Sequence, residues 1–370
     1  MCSGYEVDFK ALNRDIFGKE PEDPLLGNYL NFYIGHSNEY HIRYNSASGG
    51  LVTQLLIFAL EEGIIDGALV TKMRKDKPLE PEPFVARTKK EIIDASKSKY
   101  CPVPANIAIK EILDSKEGER FAVVGLPCHI HGIRKAEKIN KKLREKVVLH
   151  LGLLCSINRN FLSQDYLFKK FNVKKEEVIK LDYRGKGWIG GMTIALNDGT
   201  EKYSPLPIYW TQILRQYFVP FRCTLCSDQS SELADLSFGD IWLPEFRDDK
   251  IGTSLIISRT KTGDKILNEM KFKNKVNLKK IERYKVVESQ SYPLKFKKEY
   301  LDARITLLKL FRKRTPIYNQ KLLKPNIITY LHALLIYSQI FFSSKKYFWW
   351  LLEPFGNLLD KISKIKQKIH

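Results

Sequence analysis

Four cysteines stand where they can act as one group. Cys128 and Cys155 each close a short apolar run, in "RFAVVGLPC" and "KVVLHLGLLC", and Cys223 and Cys226 form a CxxC pair in "RCTLCSD". Thiolates in such numbers hold a metal or move electrons. A zinc ribbon pairs two CxxC knuckles around one tetrahedral ion. Here one knuckle meets two single cysteines from distant segments, the looser pattern that a 4Fe-4S cube accepts. The pattern favours the cluster, with zinc as the rival and buried, inert thiols as the plain alternative. Cys2 and Cys101 are expected to be structural, although Cys101 in "KYCPVPAN" can replace one of the four.

The elements that must position these thiols are legible in outline. "RFAVVG" and "KVVLHLGL" are β-branched, apolar runs of the kind buried strands show, with the charged helical stretch "GIRKAEKINKKLREK" between them. Strand, helix, strand in that order predicts parallel neighbours, with Cys128 and Cys155 emerging at one carboxyl edge, where open α/β sheets hold ligands. "IIDGALVTKM" reads as another strand and "ANIAIKEILDS" as a helix. "MTIALNDGTEKYSP" is a hairpin turning on Asp-Gly, and "TSLIISRTKTGDKILNEM" is strand, turn and helix. The fold class expected is α/β: a mixed sheet with flanking helices, plus a basic, aromatic-rich helical C-terminal extension. The parts are a lead-in over 1–40, an α/β part over 41–120, a cysteine-bearing α/β part over 121–300, and a basic amphipathic tail over 301–370.

Composition sets outer bounds. With 44% hydrophobic residues among 370, the chain can bury a sizeable core. Its N-terminus lacks an apolar core behind a basic start, which predicts a cytoplasmic chain with reduced thiols, with room for attachment to the inner face of a membrane. The net charge of +20 is uneven: residues 301–370 hold 13 Lys and Arg against three acids, Asp302, Glu353 and Asp360. A basic excess suits nucleic acid or a phosphate-bearing cofactor, and charge alone does not choose.

Three loops suit an anion. "NSASGG" leads into a helix with small residues and N–H groups at the positive end of a dipole, against the plainer reading of a serine N-cap. "KSKYCPVPAN" and "YRGKGWIGG" are basic loops broken by Gly or Pro. In order, "SASGGLVTQLL", "KSKYCPV", "VGLPCHIHGIR", "LGLLCS", "YRGKGWIGG", "CTLCSDQSSELADLSFGDIW" and "GTSLIISRTKTG" resemble the successive motifs of the coenzyme F420 hydrogenase/dehydrogenase beta-subunit family, over roughly residues 40–275. The resemblance implies FAD and one 4Fe-4S cluster. It implies an oxidoreductase passing hydride between coenzyme F420 and FAD, and single electrons through the cluster.

Cluster ligation then falls to Cys128, Cys155, Cys223 and Cys226. Flavin contacts fall to Ser46, Ser48, Gly49, Gly50, Thr53, Lys99 and Tyr100, with the backbone of Gly125, Leu126 and Pro127 near the ring. Arg184 and Lys186 are assigned to anionic groups of cofactor or substrate. His129 and His131 are read as polar residues at a helix start, Asp228 as a cap of the cysteine loop, and Asp240 as a strand end. No N-terminal CxxCxxC run is present, so the electrons need an external iron–sulfur protein or a hydrogenase/dehydrogenase subunit, not a nucleic acid. A ferredoxin-dependent reductase of another substrate and a zinc-stabilised nucleic-acid-binding protein are the alternatives.

The tail adds one more expectation. Residues 326–344, "NIITYLHALLIYSQIFFSS", carry no charge, and "KKYFWWLLEPFGNLLDKISKIKQKIH" follows. Aromatics beside lysines fit an interfacial helix, so residues 326–370 are expected either to meet a membrane surface or to pack on protein. The polar residues within the uncharged stretch argue against a span.

Overall fold

The computed structural model describes residues 5–320 and 322–369, so Cys2 lies outside the described residues. Apart from a two-stranded pair, Glu6–Val7 with Ile317–Tyr318, the strands of the described residues form two sheets: β1 (Asn31–Ser37), β2 (Gly67–Met73), β3 (Pro81–Ala86), β4 (Phe121–Gly125), β5 (Val147–Leu153), β6 (Val178–Asp182), β7 (Gly191–Leu196), β8 (Glu201–Pro205), β9 (Leu236–Asp240), β10 (Ser254–Ser258) and β11 (Val276–Lys280). The large sheet has eight strands in the order β11-β1-β10-β9-β5-β4-β2-β3. Its central four, β9, β5, β4 and β2, run parallel, and the outer pairings are antiparallel. It is the mixed sheet the sequence predicts, and it draws strands from both sides of residue 120.

The strands are buried on both faces, which accounts for their nearly continuous apolar runs. Along β10, Ile256 packs into one core while Leu255 and Ile257 pack into the other, the two-residue alternation of a strand. One layer is made by α1 (Leu51–Glu61) with α3 (Lys261–Phe272), and the opposite layer by α2 (Pro127–Ile139), whose Ile130 and Ile133 meet Phe121 and Val123. Edge strand β3 tolerates Pro81 and Pro83 because only one of its sides must donate to the ladder.

β6, β7 and β8 form a separate antiparallel sheet, with β7 and β8 as the Asp-Gly hairpin expected. It packs with Leu167, Phe168, Tyr209 and Phe218 into a second core that also takes Trp349 and Leu352 from the tail. The tail itself is three helices, α4 (Leu301–Leu310), α5 (Ile327–Ser343) and α6 (Trp349–Ile369).

Candidate functional site

Parallel pairing of β4 with β5 places the segments that follow them side by side. Cys128 sits in the first turn of α2, just beyond β4, and Cys155 lies two residues beyond β5. The backbone N–H of Cys155 donates to the Gln229 carbonyl at 2.9 Å, tying it to the loop that carries Cys223 and Cys226.

Two buried networks fix this arrangement. His131, on α2, meets the Asp228 carboxylate at 2.8 Å, and Asp228 accepts the N–H groups of Ser231 and Glu232 at 2.8 and 3.0 Å. His131 is thus a clamp between two cysteine-bearing segments, and Asp228 is the loop cap the sequence suggests. Behind it, His150 of β5 is held between Glu137 at 2.6 Å and Asp235 at 3.1 Å, while Arg134 reaches the same two carboxylates. Burial opposes the charge on Asp235, but Arg134 and His150 outweigh it and bring its pKa down to about 2.

All five described cysteines are reduced. Four form one electrostatic neighbourhood: Cys128 is pushed up to about 12, first by burial and then by Cys226 and Cys223. Cys155 rises further, again mainly through burial. Such thiols ionise only when a cation or metal compensates. Lys297, fully buried, supplies a cation on the spot: its Nζ donates to the Cys223 carbonyl at 3.2 Å, and its charge acts on Cys226, Cys155 and Cys223. Arg304 donates to the Thr224 carbonyl at 2.6 Å, holding the knuckle from the side of α4. Among the described residues, no three His, Cys, Asp or Glu side chains stand close enough to share a single metal ion. Cys101 does not replace any of the four. It is buried in the second core, and its carbonyl accepts from Asn158 at 2.9 Å.

A cavity of about 380 Å³ lies above the carboxyl ends of the central strands. Of the residues proposed for a cofactor, Ser46, Ser48, Gly50, Thr53, Lys99, Tyr100, Gly125, Leu126 and Arg184 line it, and Cys155 lines it too. Gly50 takes φ +75° as the N-cap of α1, and no side chain caps that helix. The serine-cap reading therefore fails: Ser46 Oγ donates instead to Ile42 O at 2.6 Å and Ser48 Oγ to Thr253 O at 2.8 Å. The first turn of α1 is left to the cavity that Leu51, Val52 and Thr53 line.

Arg184 is the buried cation of this cavity. It donates to Tyr100 Oη at 3.0 Å and Asp240 Oδ2 at 3.1 Å, and also to the Ala47 carbonyl. Burial alone would lower its pKa, but Asp240 outweighs that and keeps it charged. Arg184 Nε and Gln229 Oε1, both on cavity residues, have no protein partner, as expected of walls made for a polar guest. Lys99 turns its Nζ to three carbonyls of its own loop, those of Ala95, Ser96 and Lys97, and burial pulls its pKa down to about 7. His129 also lines the cavity and stays neutral at pH 7, because burial lowers its pKa to about 4.

Three assigned residues lie elsewhere. Gly49 packs between β1 and β10, its N–H donating to Ser254 Oγ at 2.9 Å. Pro127 is buried at the start of α2. Lys186 is exposed on the second sheet's side and paired with Glu201.

A second cavity of about 620 Å³ shares the wall of Thr53, Ser96, Lys97, Ser98 and Lys99. Seven Lys and Arg line it, Lys72, Arg74, Lys75, Lys90, Lys97, Lys99 and Lys180, against two carboxylates, Asp94 and Asp182.

Residues 32–110 match the family model for the N-terminal part of the coenzyme F420 hydrogenase/dehydrogenase beta subunit, and residues 118–284 match the model for its C terminus. The chain belongs to the coenzyme F420 hydrogenase/dehydrogenase beta-subunit family. It is an oxidoreductase of that family. It is 32% identical over 251 residues to the coenzyme F420 hydrogenase subunit beta of Methanothermobacter thermautotrophicus, covering 66% of this chain and 82% of the relative. Against the protein of the same name from Methanosarcina barkeri it is 31% identical over 277 residues, covering 71% and 86%. A chain of the F420-reducing [NiFe] hydrogenase complex from Methanosarcina barkeri superposes with a TM-score of 0.62 at 26% identity, covering 80% of this chain and 98% of that one. Both family matches end before Lys297 and the tail helices, so those parts of the site are read from this chain alone.

Proposed function

We propose that this family member moves hydride between coenzyme F420 and a bound FAD, and single electrons through a 4Fe-4S cluster to a redox partner. The observation that carries the reading is the double membership of Cys155, which lines the cavity and belongs to the four-thiol neighbourhood. Bound in these places, a flavin supplies two-electron hydride chemistry with one-electron release, and a cluster supplies one-electron transfer.

Several residues support this reading. Gly50 and the uncapped start of α1 offer close backbone approach and N–H donors, and Arg184 offers a fixed positive charge. Cys128, Cys155, Cys223 and Cys226 would hold the cluster, with Lys297 offsetting its negative charge. The basic second cavity, sharing a wall with the first, suits an anionic hydride carrier. The shared Thr53 and Ser96–Lys99 wall would bring the two guests to one boundary.

The ferredoxin-dependent alternative keeps both cofactors but takes its electrons from ferredoxin and reduces another substrate. A 28% identical relative from Methanocaldococcus jannaschii, 38% of which this chain covers, is named coenzyme F420-dependent sulfite reductase, a name that supports F420 as in the first reading. Mixing anaerobic holoprotein with reduced F420 separates the two. Rapid bleaching of the flavin absorbance supports the proposal. No bleaching with reduced F420, together with reduction by reduced ferredoxin, supports the second reading and contradicts the first.

A further inference from the structure

The inner and outer faces of α5 differ in what they meet. Thr329, Ala333, Ile336, Gln339 and Ser343 are buried, and Ile336 with Ile340 packs against Ile157, Phe296 and Cys223 beside the knuckle. The outer face carries Ile327, Leu331, Leu334 and Phe341, spaced as one helical stripe. These are 71%, 60%, 51% and 55% exposed. Trp350, at the start of α6, is 71% exposed. A stripe of this kind has no reason to face water.

The charges around the stripe are sorted. Two of the three tail acids are turned to the body of the protein, Glu353 to Lys170 and Asp360 to Arg215. Arg312, Lys313, Arg314 and Lys324 before α5, and Lys345 after it, are exposed. Among the described residues, none of these five has a carboxylate within ion-pair distance, whereas the neighbouring Lys346 pairs with Asp165. Lys324 and Lys345 therefore flank the two ends of the apolar stripe, with Glu353 and Asp360 neutralised inward.

We propose that the outer face of α5, with its flanking cations and Trp350, seats the protein on an anionic membrane surface. Apolar side chains enter the headgroup boundary while lysine and arginine meet the phosphates. The 17 residues of α5 extend about 25 Å. No single helix among the described residues is long and apolar enough to cross a membrane, and α5 and α6 bend by 107° where they meet. With its inner face packed against Ile157, Phe296 and Cys223 and only its outer stripe free, α5 is set to lie along the surface. The proposal is independent of the redox reading, since it rests on the tail alone.

The test is co-sedimentation of the full-length holoprotein with vesicles of phosphatidylcholine alone and of phosphatidylcholine with phosphatidylglycerol at 3:1. Binding to the anionic vesicles is expected, at least tenfold tighter than to the neutral ones and weakened by salt. The double substitution Leu331→Glu/Leu334→Glu should lower it tenfold or more without changing the melting temperature, because both side chains already face water. Lys324→Glu and Lys345→Glu should each cost about fivefold or more. Equal, weak sedimentation with both vesicles would overturn the proposal, as would binding indifferent to the double substitution. A concentration-dependent dimer that the double substitution dissolves, without vesicle binding, would assign the face to a second copy and overturn it too. Selective capture of an acidic ferredoxin through this face, again without vesicle binding, would do the same.

Discussion

At Cys155 the chain leaves β5, is caught by the Gln229 carbonyl, and enters both the cavity wall and the thiol neighbourhood. The neighbouring cation Lys297 sits in "LKFKKEY", where Lys297 and Lys298 are buried and Lys295 is exposed; the run itself gives no signal, and only folding reveals which lysine turns toward the cysteines. What the sequence makes legible in the four cysteines is their spacing and, for Cys128 and Cys155, their strand-end positions, and these the structure keeps. Replacing Cys226 with Ser should remove the iron while leaving flavin content unchanged, as measured by iron, sulfide and flavin assays on anaerobic protein. Lys99 makes a pH prediction. Its pKa of about 7 means the ammonium is charged below that value and neutral above it. Flavin affinity of the apoprotein should fall as pH rises through about 7, and Lys99→Met should flatten that profile, as followed by fluorescence quenching.

Among elements, β4, β5, the β7–β8 hairpin and the β10–α3 unit follow directly from apolar runs and turn residues. β1, with "NFYIGHS", and β3, with two prolines in "PEPFVA", carry mixed signals and are strands because the sheet gives them partners. The glycines before α1 are required by packing as much as by any ligand. A Cβ on Gly49 would stand 2.5 Å from Gly35 O and 2.8 Å from Ser254 N. Gly49→Ala should therefore destabilise by about 1–3 kcal/mol, seen as a lower thermal midpoint. Asp235 ties α2 to β5, and its folded pKa of about 2 lies below the unfolded value. The stability it provides is present above about pH 4 and is lost as pH falls toward 2, on the order of 2 kcal/mol in all. Asp235→Asn should flatten acid unfolding in that window, as followed by circular dichroism against pH.

Taken as a whole, the molecule stacks its functions in space. The sheet's carboxyl edge offers the cavity, the cysteines lie beside it, and the tail closes over the knuckle with one face while presenting the other outward. The sequence could report the tail's composition but not which half of α5 would be covered, since that depends on the shape of the core it meets. Central to the proposed function is that the cysteines and the cavity hold an electron-transfer pair. The most direct measurement is the iron, zinc and flavin content per chain, with the absorption spectrum, of anaerobically purified protein. Brown protein with about four irons and one FAD per chain is the expected result. A colourless protein holding one zinc and no flavin, even after reconstitution, would contradict it.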